Sequence, residues 1–353
     1  MMVYINEKDW EDMKYKYTKD EIIDYLSDMI IDNKISMPLQ DISLDDALSA
    51  EKELYYLETS IKQDKFVTRY ENNHSDFYFD ESSKYNVSSN YFHQYNRFLC
   101  DSINSPSPYR VFHNKKFAKS MLGALFSLKC KQVDTKTLYT CLSLRKYVAS
   151  QFKPSVAKAI YDYFKAEYIV DPCAGWGDRL AGFYASKYGK EYFGIDANKN
   201  LQDGYKEQIE EYSKIFSNKK ANIIYNAIED TELPQCDLVF TSPPYFGVER
   251  YSKDDKQSYL RYRKLDQWLE KFLFKLIYKS YISLICGGHL VLNISDVYMN
   301  HTVNSICEPM IKYAESIGFK LINIYGIKMS KRINSRSDKK GIFCEPLYIF
   351  RKG

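Results

Sequence analysis

A strand that runs into two consecutive prolines is the first feature of this sequence with chemical potential. Residues 237–240, Asp-Leu-Val-Phe, are typical of a buried strand, and Ser242-Pro243-Pro244-Tyr245 follow almost at once. Each proline fixes its φ angle at about −65° and lacks a backbone N–H, so the pair ends the strand and stiffens the turn. The Ser242 hydroxyl and the proline carbonyls remain as hydrogen-bond acceptors. The pattern therefore predicts a rigid turn that presents acceptors at the carboxyl end of a strand.

A second turn, rich in glycine, precedes it in the chain. The sequence Asp171-Pro172-Cys173-Ala174-Gly175-Trp176-Gly177 follows a short apolar strand and opens a helix. Glycines permit unusual φ values and let the backbone approach a ligand closely. Asp196 ends the next strand, with Ala197 after it, and an acid at this place commonly binds ribose hydroxyls. Because the full Gly-x-Gly-x-x-Gly pattern is missing, a smaller adenosine ligand is favoured over a dinucleotide. An ordinary tight turn is the alternative.

Length and composition exclude several classes of protein. The chain has 353 residues, 45% of them hydrophobic, which is enough for one large globular domain and a smaller one. Its eight cysteines are scattered singly, without a Cys-x-x-Cys pair or zinc-type spacing to histidine. They indicate free thiols in the cytoplasm, or in the host cytoplasm if the protein is viral, and no metal site is expected. No apolar run of about 18 residues and no signal-peptide core is present, so no membrane association is expected.

The charge of the chain is unevenly distributed. The formal net charge is +4. Residues 1–60 carry 15 acidic and 6 basic side chains, a net charge of −9, whereas residues 61–150 carry 7 acidic and 14 basic ones, a net charge of +7. The first segment would repel phosphate and the second would attract it, although both charge runs are equally compatible with ordinary solvated surface.

The order of predicted elements indicates the fold class. Helices are predicted at residues 18–32, 43–63, 114–129, 155–166 and 264–288, the last of them ended by its two glycines. Residues 71–113 are polar and aromatic and are predicted as loops and short strands. From residue 167 onward, short apolar strands alternate with helices, and the last strand, at 344–352, follows a polar loop. This alternation predicts an α/β protein with a doubly wound parallel sheet and a terminal antiparallel strand.

The two turns together resemble a known family. The glycine-rich turn with Asp196 is similar to the S-adenosylmethionine site of class I methyltransferases. The Ser-Pro-Pro-Tyr turn resembles the catalytic motif of DNA amino-methyltransferases, (Asp/Asn/Ser)-Pro-Pro-(Tyr/Phe/Trp). The resemblance covers residues 150–353. It implies a Rossmann-like seven-stranded sheet, S-adenosylmethionine as the cofactor, and methyl transfer to the exocyclic amino group of a DNA base.

This resemblance gives the Ser-Pro-Pro-Tyr turn a chemical role. An exocyclic amine is a poor nucleophile because its lone pair is delocalised into the ring. The Ser242 hydroxyl and the Pro243 carbonyl would accept from its two N–H groups and draw the nitrogen toward a tetrahedral shape. Pro243 and Pro244 would hold both acceptors rigid, as stabilisation of a transition state requires. Tyr245 would stack on the base, which must leave the duplex or come from a single strand.

The resemblance also implies the remaining site residues. The expected cofactor-binding residues are Asp171, Pro172, Cys173, Ala174, Gly175, Gly177, Asp196, Ala197, Asn226, Ala227, Lys153 and Ser155. The expected substrate- or DNA-binding residues are Phe246, Arg250, Arg261, Arg263, Lys331, Arg332 and Arg336. The three basic residues 331, 332 and 336 lie in a loop that should emerge on the cofactor side of the sheet.

The sequence predicts two regions and leaves several functional alternatives open. Residues 150–353 would form the catalytic domain, and residues 1–149 a mainly helical accessory region, with 84–131 as its better DNA-binding candidate. An RNA base or a protein glutamine is an alternative substrate, although the glutamine enzymes usually show Asn-Pro-Pro-Tyr, which Ser242 does not match. An inactive nucleic-acid-binding subunit is a further alternative. Cytosine or adenine as target, a restriction-modification or phage role, and the oligomeric state stay open.

Overall fold

The computed structural model describes residues 2–69, 76–299, 302–329 and 341–353. The strands, in chain order, are β1 (Val3–Ile5), β2 (Ile61–Gln63), β3 (Phe66–Val67), β4 (Phe77–Phe79), β5 (Asp101–Ser102), β6 (Val133–Asp134), β7 (Tyr168–Asp171), β8 (Glu191–Ile195), β9 (Lys220–Ile224), β10 (Cys236–Thr241), β11 (Glu249–Arg250), β12 (Leu284–Asn293), β13 (Val297–Met299), β14 (Thr302–Asn304), β15 (Phe319–Lys328) and β16 (Ile342–Lys352).

The α-helices are α1 (Glu7–Lys16), α2 (Lys19–Ile31), α3 (Leu44–Tyr56), α4 (Val87–Phe98), α5 (Pro108–Phe112), α6 (Lys115–Leu122), α7 (Ala124–Ser127), α8 (Thr135–Arg145), α9 (Pro154–Phe164), α10 (Asp178–Ala185), α11 (Gln202–Ile215), α12 (Ser258–Arg261), α13 (Leu265–Trp268), α14 (Phe274–Ser283) and α15 (Cys307–Ser316). Short 3₁₀ turns occupy Ser83–Asn86, Lys199–Leu201 and Ile228–Asp230, and Leu269–Leu273 is π-helical. Among the described residues, no helix combines the length and the apolar character that crossing a membrane requires.

The chain forms two compact units. The smaller unit contains Met1–Ile42, Gln94–Ser150 and Glu249–Ser252, and the larger unit contains Ser43–His93, Gln151–Val248 and Lys253–Gly353. The sequence-based division placed all of residues 1–149 in one accessory region. In the structure, the stretch Ser43–His93 instead packs with the larger unit.

The smaller unit is mainly helical. Helix α2 begins after Thr18, whose hydroxyl accepts from the Glu21 backbone N–H while the Glu21 carboxylate accepts from Thr18. A cap of this kind stabilises a helix by about 1 kcal/mol. The apolar face of α2 packs into a core with α6 and α8. On its polar face, Asp24 forms ion pairs with Lys115 and Lys119 of α6, so part of the charge asymmetry of the sequence is neutralised within this unit.

The larger unit contains the central sheet. Its strands lie in the order β2-β4-β15-β16-β12-β10-β7-β8-β9, and β3 pairs with β16. Strands β9, β8, β7, β10 and β12 are mutually parallel, whereas β16 lies antiparallel between β12 and β15. This arrangement confirms the predicted Rossmann-like sheet of seven strands with one antiparallel member. Strands β2, β3 and β4, which come from the segment before the sheet, extend it beyond the predicted seven.

The sheet is buried because helices cover the apolar residues of its central strands. Val170 of β7 pairs with Val239 of β10, and both are almost fully buried, as parallel strands covered on both faces require. Strands β7, β8, β10 and β12 run in the same direction, so their carboxyl ends meet at one edge of the sheet. That edge is where an open α/β sheet binds its ligands.

Three predicted elements differ from the structure. The helix expected over 43–63 ends at Tyr56, and Ile61–Gln63 form strand β2. The helix expected over 264–288 ends at Ser283, and Leu284 already belongs to β12. Both glycines of the predicted helix end belong to β12 instead. Gly287 adopts a left-handed φ of +78°, and a side chain at Gly288 would come within 3.0 Å of the Asp237 carbonyl oxygen. The segment 71–113, expected as loops and short strands, contains helix α4. Its polar and aromatic residues concealed the helix because they lack a simple apolar period.

Candidate active site

The glycine-rich turn connects the end of β7 to the start of α10. Gly175 and Gly177 have φ angles of +67° and +72°, a left-handed conformation that glycine adopts without strain. The Gly175 backbone N–H donates to Asp196 Oδ2 at 2.8 Å, and the Ala174 N–H donates to the Ile195 carbonyl at 2.8 Å. These bonds attach the turn to the end of β8 and shape a cradle at the sheet edge.

Asp196 is the acidic group of this cradle. Its second oxygen, Oδ1, accepts from the Asn198 backbone N–H at 2.8 Å. Burial raises the pKa of this carboxyl to about 6. Each carboxylate oxygen has a further lone pair, so Asp196 retains the capacity to accept from the hydroxyls of a ribose.

Three side chains that the sequence analysis missed hold the glycine-rich turn from behind. The Tyr205 hydroxyl accepts from the Gly177 N–H at 3.2 Å and donates to the Gly175 carbonyl at 3.0 Å. Gln208 donates to the Gly177 carbonyl at 3.0 Å and accepts from His93 Nε2 at 3.0 Å. Tyr205 and Gln208 lie one helical turn apart on α11, and this i, i+3 spacing is the only sequence signal that they share.

His93 completes this support from α4. Its ring is almost fully buried and packs on Tyr205, with 4.6 Å between the ring centres. Burial lowers the pKa of His93 to about 4, so the ring is neutral at physiological pH. Because Gln208 uses its amide N–H on Gly177, its oxygen must accept, which assigns the proton of the neutral ring to Nε2.

Asp171, predicted as a cofactor-binding residue, is fully buried and fully engaged with protein groups. Its carboxylate accepts from Arg179 Nε at 2.7 Å, from the Tyr192 hydroxyl at 2.6 Å and from the Thr241 hydroxyl at 2.8 Å. Arg179 also donates to the Cys173 carbonyl. The structure therefore places Asp171 beneath the cradle, where it fixes the turn and the neighbouring strands.

Thr241 links the two turns that the sequence analysis singled out. It is the last residue of β10 and immediately precedes Ser242. Its hydroxyl donates to Asp171 and accepts from the Cys173 backbone N–H at 3.1 Å. The Ser-Pro-Pro-Tyr turn therefore begins directly beside the glycine-rich turn, at the same edge of the sheet.

The Ser-Pro-Pro-Tyr turn is partly accessible. Ser242, Pro244 and Tyr245 are half-buried, and Pro243 is buried. Across the described parts of the chain, the Ser242 hydroxyl forms no hydrogen bond. The Tyr245 hydroxyl donates to Glu345 Oε1 on β16. Phe246, predicted to contact the substrate, lies instead in the core below the turn, with its ring centre 5.9 Å from that of Trp268.

The other predicted cofactor residues occupy different surroundings. Asn226 follows β9 and donates to the Asp230 carbonyl at 3.3 Å, and Ala227 beside it is buried. Pro172, Cys173 and Ala174 form the turn itself, and burial raises the pKa of the Cys173 thiol. Ala197 follows Asp196 and is half-buried.

Lys153 and Ser155 stand at the start of α9. Lys153 Nζ donates to the carbonyls of Glu81 at 3.1 Å and Lys328 at 3.2 Å, and burial lowers its pKa. The Ser155 hydroxyl is fully buried and donates to the Ser82 carbonyl at 2.8 Å. In this structure both side chains attach the segment before α4 to the start of α9.

The residues predicted to contact nucleic acid belong to different elements of the structure. Arg261 forms ion pairs with Glu229 at 3.2 Å and Asp230 at 2.7 Å, whereas Arg263 is exposed. Arg250 belongs to β11, which pairs with β5 in the smaller unit. Lys331, Arg332 and Arg336 lie outside the described residues.

A separate cleft of about 370 Å³ lies in the larger unit, beside the residues that lead into β8. Its charged groups are already paired, because Asp162 accepts from Lys158 and Lys187 pairs with Glu58. The cleft is lined by none of the residues of the two turns. Among the described residues, no group of three His, Cys, Asp or Glu side chains is placed to hold a metal ion.

The sheet order, the glycine-rich turn after β7 and the acid after β8 define a Rossmann-like domain. Residues 236–353 match the sequence model of a family described as DNA methylase. The match begins at β10 and includes the Ser-Pro-Pro-Tyr turn, and it confirms for these residues the resemblance to DNA amino-methyltransferases. The side-chain-free backbone at Gly175 and the remaining lone pairs of Asp196 fit the adenosine portion of S-adenosylmethionine.

Comparison with solved structures found other methyltransferases. The chain is similar to a methyltransferase from Pyrococcus furiosus, with 16% identity, 57% of this chain and 83% of that chain covered, and a TM-score of 0.36. It is similar to the N-methyltransferase NodS from Bradyrhizobium japonicum in complex with S-adenosylhomocysteine, with 12% identity, coverage of 53% and 78%, and a TM-score of 0.34. A further similar structure is an S-adenosylmethionine-dependent O-methyltransferase from Thermotoga maritima, with 12% identity, coverage of 60% and 70%, and a TM-score of 0.38. No curated protein matches the chain significantly.

Proposed function

We propose that this protein transfers a methyl group from S-adenosylmethionine to the exocyclic amino group of a DNA base, N4 of cytosine or N6 of adenine. The observation that carries this proposal is the pair of hydrogen bonds made by the Thr241 hydroxyl, which joins the cofactor cradle to the Ser-Pro-Pro-Tyr turn. The match of residues 236–353 to the DNA methylase family supports the same reaction.

The cradle residues would bind and orient the cofactor. Gly175 and Gly177 present backbone without side chains, and Asp196 offers acceptors to the ribose hydroxyls. Asn226 and Ala227 stand after β9 at the same edge, where they would flank the adenine. When bound, the cofactor supplies a sulfonium-linked methyl group with a good leaving group, so the protein needs no covalent intermediate. The remaining task of the protein is to position the amine.

The Ser-Pro-Pro-Tyr turn would perform that positioning. The Ser242 hydroxyl and the Pro243 carbonyl accept from the two N–H groups of the amine, which localises its lone pair on nitrogen. The two prolines fix the backbone of the turn, so the acceptors need no reorganisation during the reaction. The half-buried ring of Tyr245 provides a surface on which the base stacks.

A base inside duplex DNA is out of reach of this turn. The target nucleotide would therefore be turned out of the helix or taken from a single strand. The phosphate contacts that this requires would come from exposed cations such as Arg263 rather than from Arg261, whose guanidinium is occupied by two carboxylates.

Two other substrates and one inactive role compete with this proposal. An RNA base offers the same amine, and a protein glutamine offers an amide nitrogen, but the family pattern for glutamine is Asn-Pro-Pro-Tyr, which Ser242 does not match. A nucleic-acid-binding subunit without activity would not require an intact cradle. In this chain both glycines hold their left-handed conformation and the paired prolines are retained.

The experiment is methyl transfer from labelled S-adenosylmethionine to DNA, RNA and protein in parallel. We expect label in DNA, and label confined to RNA or protein would contradict the proposal. Ser242→Ala should lower kcat by about tenfold to a hundredfold while the cofactor affinity stays within about twofold, because the lost bond acts on the amine alone. Ser217→Ala, an exposed serine before β9, is the matched control and should leave both quantities unchanged.

A further inference from the structure

Strand β16 places an acidic residue at the edge of the sheet where the carboxyl ends of β10 and β12 lie. Leu347 of β16 pairs with Asn293, the last residue of β12, and Glu345 lies two residues farther along, opposite Ile327 of β15. Because β16 runs antiparallel to β12, Glu345 stands at the end of the sheet where β10 and β12 finish. Glu345 was not among the residues singled out from the sequence.

The Glu345 carboxylate is tied to the Ser-Pro-Pro-Tyr turn. The Tyr245 hydroxyl donates to Glu345 Oε1. The Asn293 amide also contacts the Glu345 carboxylate, and it donates to the Pro346 carbonyl at 3.0 Å. Within the described residues, Glu345 therefore joins the last strand of the sheet to the aromatic end of the turn.

A carboxylate that is withdrawn from water is costly unless donors satisfy it, so its presence calls for a physical reason. Glu345 is half-buried as a whole residue, and burial raises the pKa of its carboxyl. Within the part of the chain that the structure describes, the donors it meets are a phenol and an amide and no cation, so no ion pair there accounts for it. What the carboxylate does provide is a strong, directional acceptor for one phenol hydroxyl.

Anchoring that hydroxyl fixes the ring of Tyr245. Without a bond at its far end, a half-buried tyrosine explores several rotamers, each of which turns the ring face in another direction. Phe246, the next residue, is locked into the core against Trp268. The backbone below Tyr245 and the hydroxyl at its tip are therefore both held, and together they set the direction of the ring face.

We infer that Glu345 is a positioning residue that orients the Tyr245 ring for stacking on the target base, an inference that rests on the proposed function. It acts through Tyr245 and does not itself touch the substrate. Preorganising the ring before the base arrives would reduce the entropy lost on stacking and would keep the amine aligned with the methyl group.

The test is a double-mutant cycle with Glu345→Ala, Glu345→Gln, Tyr245→Phe and the double variant Glu345→Ala/Tyr245→Phe. Glu345→Ala should lower kcat by about tenfold, with the affinity for S-adenosylhomocysteine unchanged, because one bond to a charged acceptor is lost. Glu345→Gln keeps an oxygen acceptor and should recover most of that loss. In the Tyr245→Phe background, Glu345→Ala should cause no further decrease, since the hydroxyl it holds is already absent.

A second measurement reads the orientation of the ring without activity. Full-length protein carrying 3-fluorotyrosine at position 245 should show one sharp ¹⁹F resonance that broadens or moves in Glu345→Ala and is retained in Glu345→Gln. Circular dichroism and the thermal midpoint verify that each variant is folded.

The outcomes separate this inference from the proposed function. If the wild-type protein methylates DNA but Glu345→Ala lowers the rate equally with and without the Tyr245→Phe substitution, Glu345 does not act through Tyr245 and the inference fails. If the wild-type protein methylates no DNA, the proposed function fails, and the fluorine resonance then decides alone whether Glu345 orients the ring. An unchanged resonance in Glu345→Ala overturns the inference in either case.

Discussion

Gly175 and Gly177 share one turn and one conformation, yet a methyl group at each should have opposite consequences. Both have left-handed φ angles, +67° and +72°, and an alanine in that conformation costs about 1–2 kcal/mol. A Cβ at Gly175 would lie at ordinary van der Waals distance from its neighbours, 3.8 Å from Arg179 and 3.9 Å from the Cys173 carbonyl oxygen, so it would clash with nothing. A Cβ at Gly177 would overlap the Gln208 side-chain oxygen and come within 2.7 Å of the His93 ring.

The surroundings decide how much this overlap costs. Gln208 and His93 are almost fully buried, and Gln208 would have to leave its bonds to Gly177 and His93 to make room. Overpacking of this kind adds about 1–3 kcal/mol to the conformational cost. Gly177→Ala should therefore lower the free energy of unfolding by about 2–5 kcal/mol, and Gly175→Ala by about 1–2 kcal/mol.

Cofactor affinity should show the reverse order. A methyl group at Gly175 would clash with no protein atom but would narrow the cradle in which we propose that the cofactor binds, so Gly175→Ala should weaken S-adenosylhomocysteine binding by about tenfold or more. Denaturant unfolding without cofactor gives the stabilities, and titration calorimetry gives the affinities. The reasoning is refuted if Gly175→Ala destabilises the protein as much as Gly177→Ala does, or if it leaves the affinity unchanged.

Two further predictions concern the charged groups of the site. Asp171→Asn should lower the unfolding free energy by about 3–5 kcal/mol, because the buried Arg179 loses its counter-charge. As a control, Glu308→Gln, in an exposed pair with Lys312, should change the unfolding free energy by less than about 1 kcal/mol. Equal effects of the two substitutions in denaturant unfolding would contradict the burial argument. Cofactor affinity should decrease as the pH falls through about 6, because Asp196, whose pKa burial raises from 3.8 to about 6, then takes up a proton and loses the charged form that accepts from the ribose. The raised pKa of Asp196 affects the stability of the cofactor-free fold in the opposite direction. As the pH falls from about 6 to 3.8, the folded state takes up the proton before the unfolded state does, so the free energy of unfolding increases. Calorimetric titrations from pH 5 to 8 measure the affinity, and an Asp196→Asn variant that keeps the same pH dependence would show that another group titrates.

The elements that carry local signals were predictable from the sequence. Thr18 and Ser43 are followed three residues later by Glu21 and Asp46, and both capping boxes form in the structure. The alternation of apolar strands and helices after residue 167 predicted the parallel sheet and its antiparallel last strand. The caps depend on hydrogen bonds between residues three apart, and the alternation of apolar strands with helices is visible along the chain even though the strand pairs themselves are distant, which is why a single sequence reveals them.

The residues that support the site were not predictable in the same way. His93 and Glu345 lie far from Gly177 and Tyr245 in the chain, and only the folded backbone brings each pair together. Asp171 has the residue type of a ligand-binding acid, but its carboxylate is paired with the buried Arg179 at the start of α10. Phe246 follows a functional motif yet belongs to the core, because Trp268 lies beneath the turn.

The distribution of charge along the chain also failed to predict which surface is free to bind phosphate. The basic segment 61–150 suggested a surface for phosphate, but Lys115 and Lys119 are paired with acids of α2 in the smaller unit. Net charge along a sequence does not show which charges neutralise each other after folding.

The most direct test of the account is the identity of the methylated nucleoside. DNA incubated with the protein and isotopically labelled S-adenosylmethionine, digested to nucleosides and analysed by mass spectrometry, should contain labelled N4-methylcytosine or N6-methyladenine, and the label should accumulate about tenfold to a hundredfold more slowly with Ser242→Ala. Label at carbon 5 of cytosine, or equal labelling of an amine by the Ser242→Ala variant, would contradict the role assigned to the Ser-Pro-Pro-Tyr turn.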